Sequence, residues 1–175
     1  MQLFIRTIRG WILRILAVKV YDRGIVHTHY IFEDFDAKTG QLVNHQEFDH
    51  NCLLKEGITA LLNLLIGAAE TAFNNANTCI GVGDDDTAAD DDQTGLQAVT
   101  NKFYKEMDAG YPTVAGQIVT FRTTFLEAEA NFAWKEITII NGDDDTHDNL
   151  NRKVQAMGMK TNAVSRVTTV ELSIT

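Results

Sequence analysis

The feature that most constrains the fold is a series of short segments in which apolar and polar residues alternate, separated by turn-forming residues. In the clearest segment, residues 117–125, the side chains at every second position are mostly apolar: Val119, Phe121, Thr123 and Phe125. Successive side chains of a strand point to opposite faces of a sheet, so this set should face a core. Similar segments lie at residues 78–82, 131–140, 152–158 and 164–174. Short strands joined by turns are typical of an antiparallel β-sandwich or jelly roll.

The first half of the chain adds a hairpin and a helix. Residues 25–35 and 41–48 alternate as strands around a turn that ends at Gly40. Residues 54–66 carry apolar residues at helical spacing, and Gly67 is a plausible stop. Those residues are Leu54, Ile58, Leu61, Leu62 and Leu65. We expect this leucine-rich face to cover a sheet. Residues 96–107 fit either a strand or a helix.

We therefore predict a mainly β (α+β) fold: an antiparallel β-sandwich or jelly-roll-like domain with one covering helix and an N-terminal arm. Residues 1–20 form the arm and residues 21–175 a single β-rich domain. The arm carries four basic side chains and no acid. On a helical wheel, residues 2–16 place seven apolar side chains on one face: Phe4, Ile5, Ile8, Trp11, Ile12, Ile15 and Leu16. Gln2, Arg6, Thr7, Arg9, Gly10 and Arg14 fall on the other face.

Such an arm is suited to binding a partner. A strand is the alternative to a helix for these residues. An amphipathic basic segment can lie on a membrane, dock on an acidic protein surface or pack on its own core. The predicted partner-binding residues are Phe4, Ile5, Arg6, Ile8, Arg9, Trp11, Ile12, Arg14 and Ile15.

Charge separates this arm from the rest of the chain. The 175 residues contain 15 basic and 24 acidic side chains, a net charge of −9, whereas residues 1–20 alone carry +4. A net anion is a poor non-specific binder of nucleic acid, because phosphate neutralisation supplies most of that affinity. The basic residues of the arm also interrupt any signal peptide, and no apolar run is long enough for a membrane span. We expect an unprocessed chain made in a cytoplasm, with Cys52 and Cys79 as reduced thiols.

Two acidic runs and three histidines are the candidate metal ligands. The runs are residues 84–92 and 143–148, and their candidate ligands are Asp84, Asp86, Asp90, Asp143 and Asp145. Oxygen-rich loops can bind calcium, but the first run lacks the glycine and glutamate of an EF-hand. His27, His29 and His45 could share one face of the hairpin and bind zinc. Solvated carboxylates and half-exposed histidines are the simpler interpretation, so we expect no bound metal and no cofactor.

Catalytic motifs are not evident in the sequence. A nucleophile elbow is missing, and neither cysteine has a histidine at a spacing typical of a cysteine enzyme. The segment Ile80-Gly81-Val82-Gly83-Asp84 matches only part of a dinucleotide-binding fingerprint, because its third glycine and following helix are missing. We therefore expect a protein that is not an enzyme.

A series of longer segments carries a family resemblance. They are NNANTCIGVGD (74–84), LQAVTNKFYKEMDAGYP (96–112), IVTFRTTF (118–125), EANFAWKEITIING (129–142) and NLNRKVQAMGMKTN (149–162). With the preceding hairpin and a helix led by Asn51 and Gly57, they resemble small virion proteins of tailed bacteriophages over residues 25–175. The pattern Phe132-x-Trp134-x-Glu136 is also similar to attachment domains of phage tail-collar fibres. The resemblance implies a structural role in the virion.

Our functional expectation combines the resemblance with the arm. We expect a capsid-associated decoration or minor head protein that binds and stabilises the assembled shell. The alternatives are a tail, collar or fibre adaptor, and a calcium- or carbohydrate-binding attachment module that would use Trp134 and the acidic loops. The expected partners are other virion proteins and further copies of the chain, without specific nucleic acid or membrane. The expected location is the virion, after synthesis in the host cytoplasm.

Overall fold

The structure, a computed structural model, describes residues 26–175. The predicted arm, residues 1–20, lies outside these described residues. Ten strands and one helix follow in chain order: β1 Val26–Asp36, β2 Leu42–Asp49, β3 Cys52–Leu53, α1 Lys55–Leu65, β4 Cys79–Gly83, β5 Lys102–Glu106, β6 Thr113–Ala115, β7 Ile118–Phe125, β8 Glu136–Ile140, β9 Asn151–Val154 and β10 Val164–Ile174.

The strands form two antiparallel sheets of five strands each. The first has the order β2-β1-β10-β7-β6 and the second the order β3-β9-β8-β4-β5. The register of the first sheet aligns its inward-facing residues: Tyr30 lies opposite Val170, and Val170 lies opposite Phe121. For residues 26–175 the predicted class is confirmed: a mainly β fold with two antiparallel sheets and one helix.

The core lies between the sheets and takes aromatic and aliphatic side chains from both. Tyr30, Phe32 and Phe125 of the first sheet meet Ile137 and Ile139 of the second. The alternation predicted for residues 117–125 is confirmed, since Phe121, Thr123 and Phe125 are all buried. Burying side chains of this size contributes about 1.5–3 kcal/mol each, so this layer supplies most of the driving force for folding.

Several predicted elements match the structure closely, and others are shorter. The hairpin β1–β2, the helix α1 and strands β4, β7 and β10 lie where the sequence predicts them. The ambiguous segment 96–107 contains a strand, β5. Within segment 152–158, β9 ends at Val154.

The segment 131–140 was predicted as one strand, but β8 begins only at Glu136. The backbone N–H of Trp134 donates to Gly158, and its carbonyl accepts from Met157. The backbone of Trp134 therefore pairs with residues 157–158, outside the named strands. The indole of Trp134 lies between the two sheets. Its Nε1 donates to the carbonyl of Ala130 at 2.9 Å.

Two further observations concern the cysteines and the length of the helix. Cys52 and Cys79 are free thiols, and burial raises the pKa of Cys79 to about 11. Within residues 26–175, no helix combines the length and hydropathy that crossing a bilayer requires.

Candidate interaction surface

Helix α1 presents an exposed apolar face, which we call the helix face: Ile58, Leu62, Leu65 and Ile66. Leu62 is 57% exposed, Leu65 79% and Ile66 78%. The expectation that the leucine-rich face covers a sheet is therefore wrong for most of its residues. Large apolar side chains that share an exposed surface often mark an interaction site in a soluble protein.

Small residues explain why the helix turns this face outward. The side of α1 that packs on the body carries Gly57 and Ala60, both buried, and follows the buried Leu54. A Cβ atom at Gly57 would lie 2.4 Å from the Cα of Leu150. The helix backbone therefore approaches residues 149–150 too closely for a larger side chain to fit between them. The apolar arc of α1 is wider than this contact, and the excess remains exposed.

Beside the helix lies a second apolar feature, the apolar groove, with a volume of about 500 Å³. Leu61 and Leu64 of α1 line it, as do exposed residues of the first sheet, Val114 on β6 and Ile174 on β10. Buried residues also contribute to its lining: Phe121, Leu150 and Leu172. The polar members of the lining are Asn74 and Asn75. This composition suits an apolar ligand or segment with a polar rim.

Glu70 lies two residues before the groove-lining residue Ala72 in the chain. The carboxylate of Glu70 accepts hydrogen bonds from the Asn63 side chain and the backbone N–H of Thr71, next to the lining residue Ala72. These bonds lower the pKa of Glu70, so its carboxylate is ionised at neutral pH.

The predicted partner-binding residues, Phe4 to Ile15, lie outside the described residues 26–175. Their placement stays a prediction. The sequence pattern does not predict the apolar groove or the helix face as sites, although it includes leucines that form part of both. The sequence signal is the pair Gly57 and Ala60 on the neighbouring arc of the helix. Small residues on one arc indicate that the helix packs against the sheets through that arc.

The predicted metal ligands do not converge on one centre. Asp86 pairs with Lys135 at 2.9 Å, and Asp145 pairs with Lys102 at 2.8 Å. Asp84 accepts a hydrogen bond from Asn101 at 2.6 Å. Each of these three carboxylates therefore already has a protein partner.

The other two candidates belong to separate small clusters. Asp90 lies with Asp91 and Asp92, and Asp143 lies with Asp144 and His147. The aspartates of both clusters are exposed. Crowded carboxylates on an exposed loop usually remain hydrated.

His29 and His45 lie beside carboxylates, His29 across the hairpin and His45 on its own strand. In the β1–β2 register His29 lies opposite Asp49 and His45 lies opposite Glu33. Nδ1 of His29 lies 2.8 Å from Asp49, and Nε2 of His45 lies 2.7 Å from Glu47. Among residues 26–175, the ligand atoms of His27, His29 and His45 do not come close enough together to share one metal ion.

Sequence reasoning missed a set of buried charged residues. Arg152 and Glu136 are fully buried and joined at 2.7 Å. The two oxygens of Glu136 also accept the backbone N–H groups of Gln97 and Ala98, while Arg152 donates to the carbonyl of Thr87. This pair therefore fixes the acidic loop 84–98 to the second sheet.

A second buried pair lies at the first sheet. The guanidinium of Arg166 donates to both oxygens of Asp34, at 2.6 and 2.9 Å, and its carbon lies 4.7 Å from the centre of the Trp134 ring. Burial would raise the pKa of Asp34, but hydrogen bonds from Arg166 and Asn44 outweigh it and hold that pKa below its usual value. Trp134 itself is 1% exposed and offers no surface to a sugar.

The glycines of the segment 80–84 serve packing in this structure. Gly81 and Gly83 lie in β4, where a Cβ atom would meet the ring of Tyr104 and the carboxylate of Glu136 respectively. A phosphate-binding turn needs these glycines in a loop before a helix, and here they lie in the interior of a strand.

Comparisons of the chain with protein-family models, with curated proteins and with solved structures find no match. The functional proposal therefore depends on the geometry above and on the residues of the chain.

Proposed function

We propose that the chain is a structural protein of a tailed-bacteriophage virion, a capsid-associated decoration or minor head protein that binds and stabilises the assembled shell. The observation that carries the proposal is the helix face. Three of its side chains are more than half exposed on an otherwise well-packed sandwich. Such a surface gains free energy when a partner removes it from water, by about 25 cal/mol per Å².

The remaining features are consistent with an assembly subunit. The body, residues 26–175, carries 10 basic and 23 acidic side chains, a net charge of −13 that favours solubility before assembly. A protein that binds only the assembled shell stabilises it by mass action. The resemblance to small virion proteins supports the same role, and the proposal includes no catalytic activity.

Co-sedimentation with purified shells of the encoding phage, assembled without this protein, tests the proposal. We expect the protein to pellet with shells and to saturate at a fixed ratio. The variant Leu62→Glu, on the helix face, should bind about tenfold or more weakly. Leu42→Glu is the matched control, because Leu42 is 51% exposed but lies on the hairpin.

Three outcomes would contradict the proposal. Protein that stays in the supernatant with shells would exclude shell binding. Protein that pellets with purified tails instead would favour the tail adaptor. Equal losses for Leu62→Glu and Leu42→Glu would show that the helix face is not the contact.

A further inference from the structure

We propose that the apolar groove binds the apolar face of residues 2–16 of this chain. The occupant is inferred from three observations: the chemistry of the groove, the position at which the described residues begin, and the charge of the two parts. This docking is independent of the proposed virion role, so either proposal can fail alone.

The groove and the segment have matching chemistry. The groove is lined by aliphatic and aromatic side chains between α1 and the edge of the first sheet, and Val114 is 73% exposed there. Residues 2–16 place Phe4, Ile8, Ile12 and Ile15 on one face at helical spacing. Apolar side chains at this spacing are the anchors by which an amphipathic helix binds a hydrophobic groove.

The described residues begin beside the groove. Val26 lies opposite Ile174 in the β1–β10 register, and Ile174 lines the groove. Nine residues separate Leu16 from Val26. An extended chain spans about 3.3 Å per residue, so these nine residues reach up to about 30 Å. The segment can therefore reach the groove of its own copy.

Charge favours the same occupant. Residues 1–20 carry a net charge of +4, whereas residues 26–175 carry −13. Opposite charges on the two surfaces attract at long range and orient the segment before contact.

Tryptophan fluorescence of the full-length protein tests the docking, because the chain contains Trp11 and Trp134 and the latter is buried. We expect Trp11 to be shielded from acrylamide, with Trp11→Phe identifying its share of the signal. Val114→Asp should increase the quenching constant of Trp11 several-fold. Val99→Asp is the matched control, since Val99 is 95% exposed and outside the groove, and it should change nothing.

A reciprocal variant keeps the test independent of how well the groove variant folds. Ile12→Asp, on the apolar face of the segment, should speed hydrogen exchange in residues 58–66 and 113–119. Thr7→Asp adds the same charge on the opposite face and should leave this exchange unchanged. Dilution shows which copy donates the segment: shielding that persists assigns it to the same copy, and shielding that is lost assigns it to a second copy. Both results support residues 2–16 as the occupant.

The proposal is overturned if Trp11 is fully accessible in the unmodified protein. It is also overturned if Val114→Asp and Val99→Asp have equal effects, or if Ile12→Asp leaves exchange around the groove unchanged.

Discussion

Buried charged side chains connect the irregular segments of this protein to its sheets. Arg152 donates to the carbonyl of Thr87 and to the side chain of Gln93, both in the acidic loop, while it pairs with Glu136 on β8. A charge this deep is tolerated because its hydrogen-bonding groups are satisfied. The acidic loop 84–98 is thereby attached to the second sheet through a buried charge.

The pair Asp34–Arg166 yields a prediction on pH. Asp34→Asn leaves the guanidinium of Arg166 buried without its counter-charge, so we expect a loss of about 3–5 kcal/mol in the free energy of unfolding at neutral pH. The pKa of Asp34 is lowered in the folded state. The contribution of its charge is therefore complete above the unfolded pKa of about 4 and is lost as the pH falls through the folded value.

Urea unfolding of both proteins between neutral pH and about pH 2.5 checks this prediction. The difference in stability should be constant above about pH 5 and should shrink as the pH falls further. Asp86→Asn, which removes an exposed partner of Lys135, should cost at most about 1 kcal/mol. A difference that stays constant to the lowest pH would contradict the assigned ionisation of Asp34.

At the scale of the element, helix α1 shows which of its features sequence periodicity predicts and which it does not. The spacing of Leu54, Ile58, Leu61 and Leu65 predicts the helix and its end, and Gly67 ends it with φ of 69°. Periodicity does not determine which part of a wide apolar arc is buried. That choice depends on the close contact of Gly57 with the backbone at Leu150, which is a property of the tertiary structure.

Gly57→Ala should therefore destabilise the protein, although alanine is the better helix former. The helix propensity of alanine favours the variant by about 1 kcal/mol. Against this, the new Cβ would lie 2.4–2.7 Å from backbone atoms of Asn149 and Leu150, which cannot move as a side-chain end can. Overpacking of this kind typically costs about 1–3 kcal/mol, so we expect a net loss of stability.

Thermal unfolding measures the sign of the Gly57→Ala effect directly. Ala69→Gly is a useful comparison, because it changes an exposed position in the irregular segment that follows the helix. It should have little effect. A Gly57→Ala variant that unfolds at a higher temperature than the unmodified protein would show that α1 does not make the close contact.

At the scale of the whole molecule, the alternating segments predict the fold class well. They predict β1, β2, β4, β7 and β10. Buried and more exposed residues alternate along β1, β7 and the middle of β10, whereas β4 is buried at every position. The extra residues predicted before Glu136 arise because Trp134 fits an alternating pattern although its backbone pairs outside the sheet. The buried charges were missed because charged residues are rarely fully buried, so Arg152 and Arg166 are expected at the surface.

The motifs of the resemblance have a structural explanation in this molecule. Asn149 and Asn151 of the segment 149–162 are buried, and Asn151 bonds the backbone of Ile139 and the hydroxyl of Tyr30. Trp134 and Glu136 of the segment 129–142 are buried as well. These segments thus hold the sandwich together, while the surface that we assign to the shell, the helix face, lies on α1.

We propose above all that this protein binds the assembled virion shell through its exposed helix face. Quantitative mass spectrometry of purified particles of the encoding phage, with the major capsid protein as an internal standard, tests this claim most directly. A shell-bound protein follows the symmetry of the capsid, so we predict on the order of hundreds of copies per particle. About three to twelve copies, the number set by tail symmetry, would contradict a shell location, and absence from purified particles would contradict a virion role altogether.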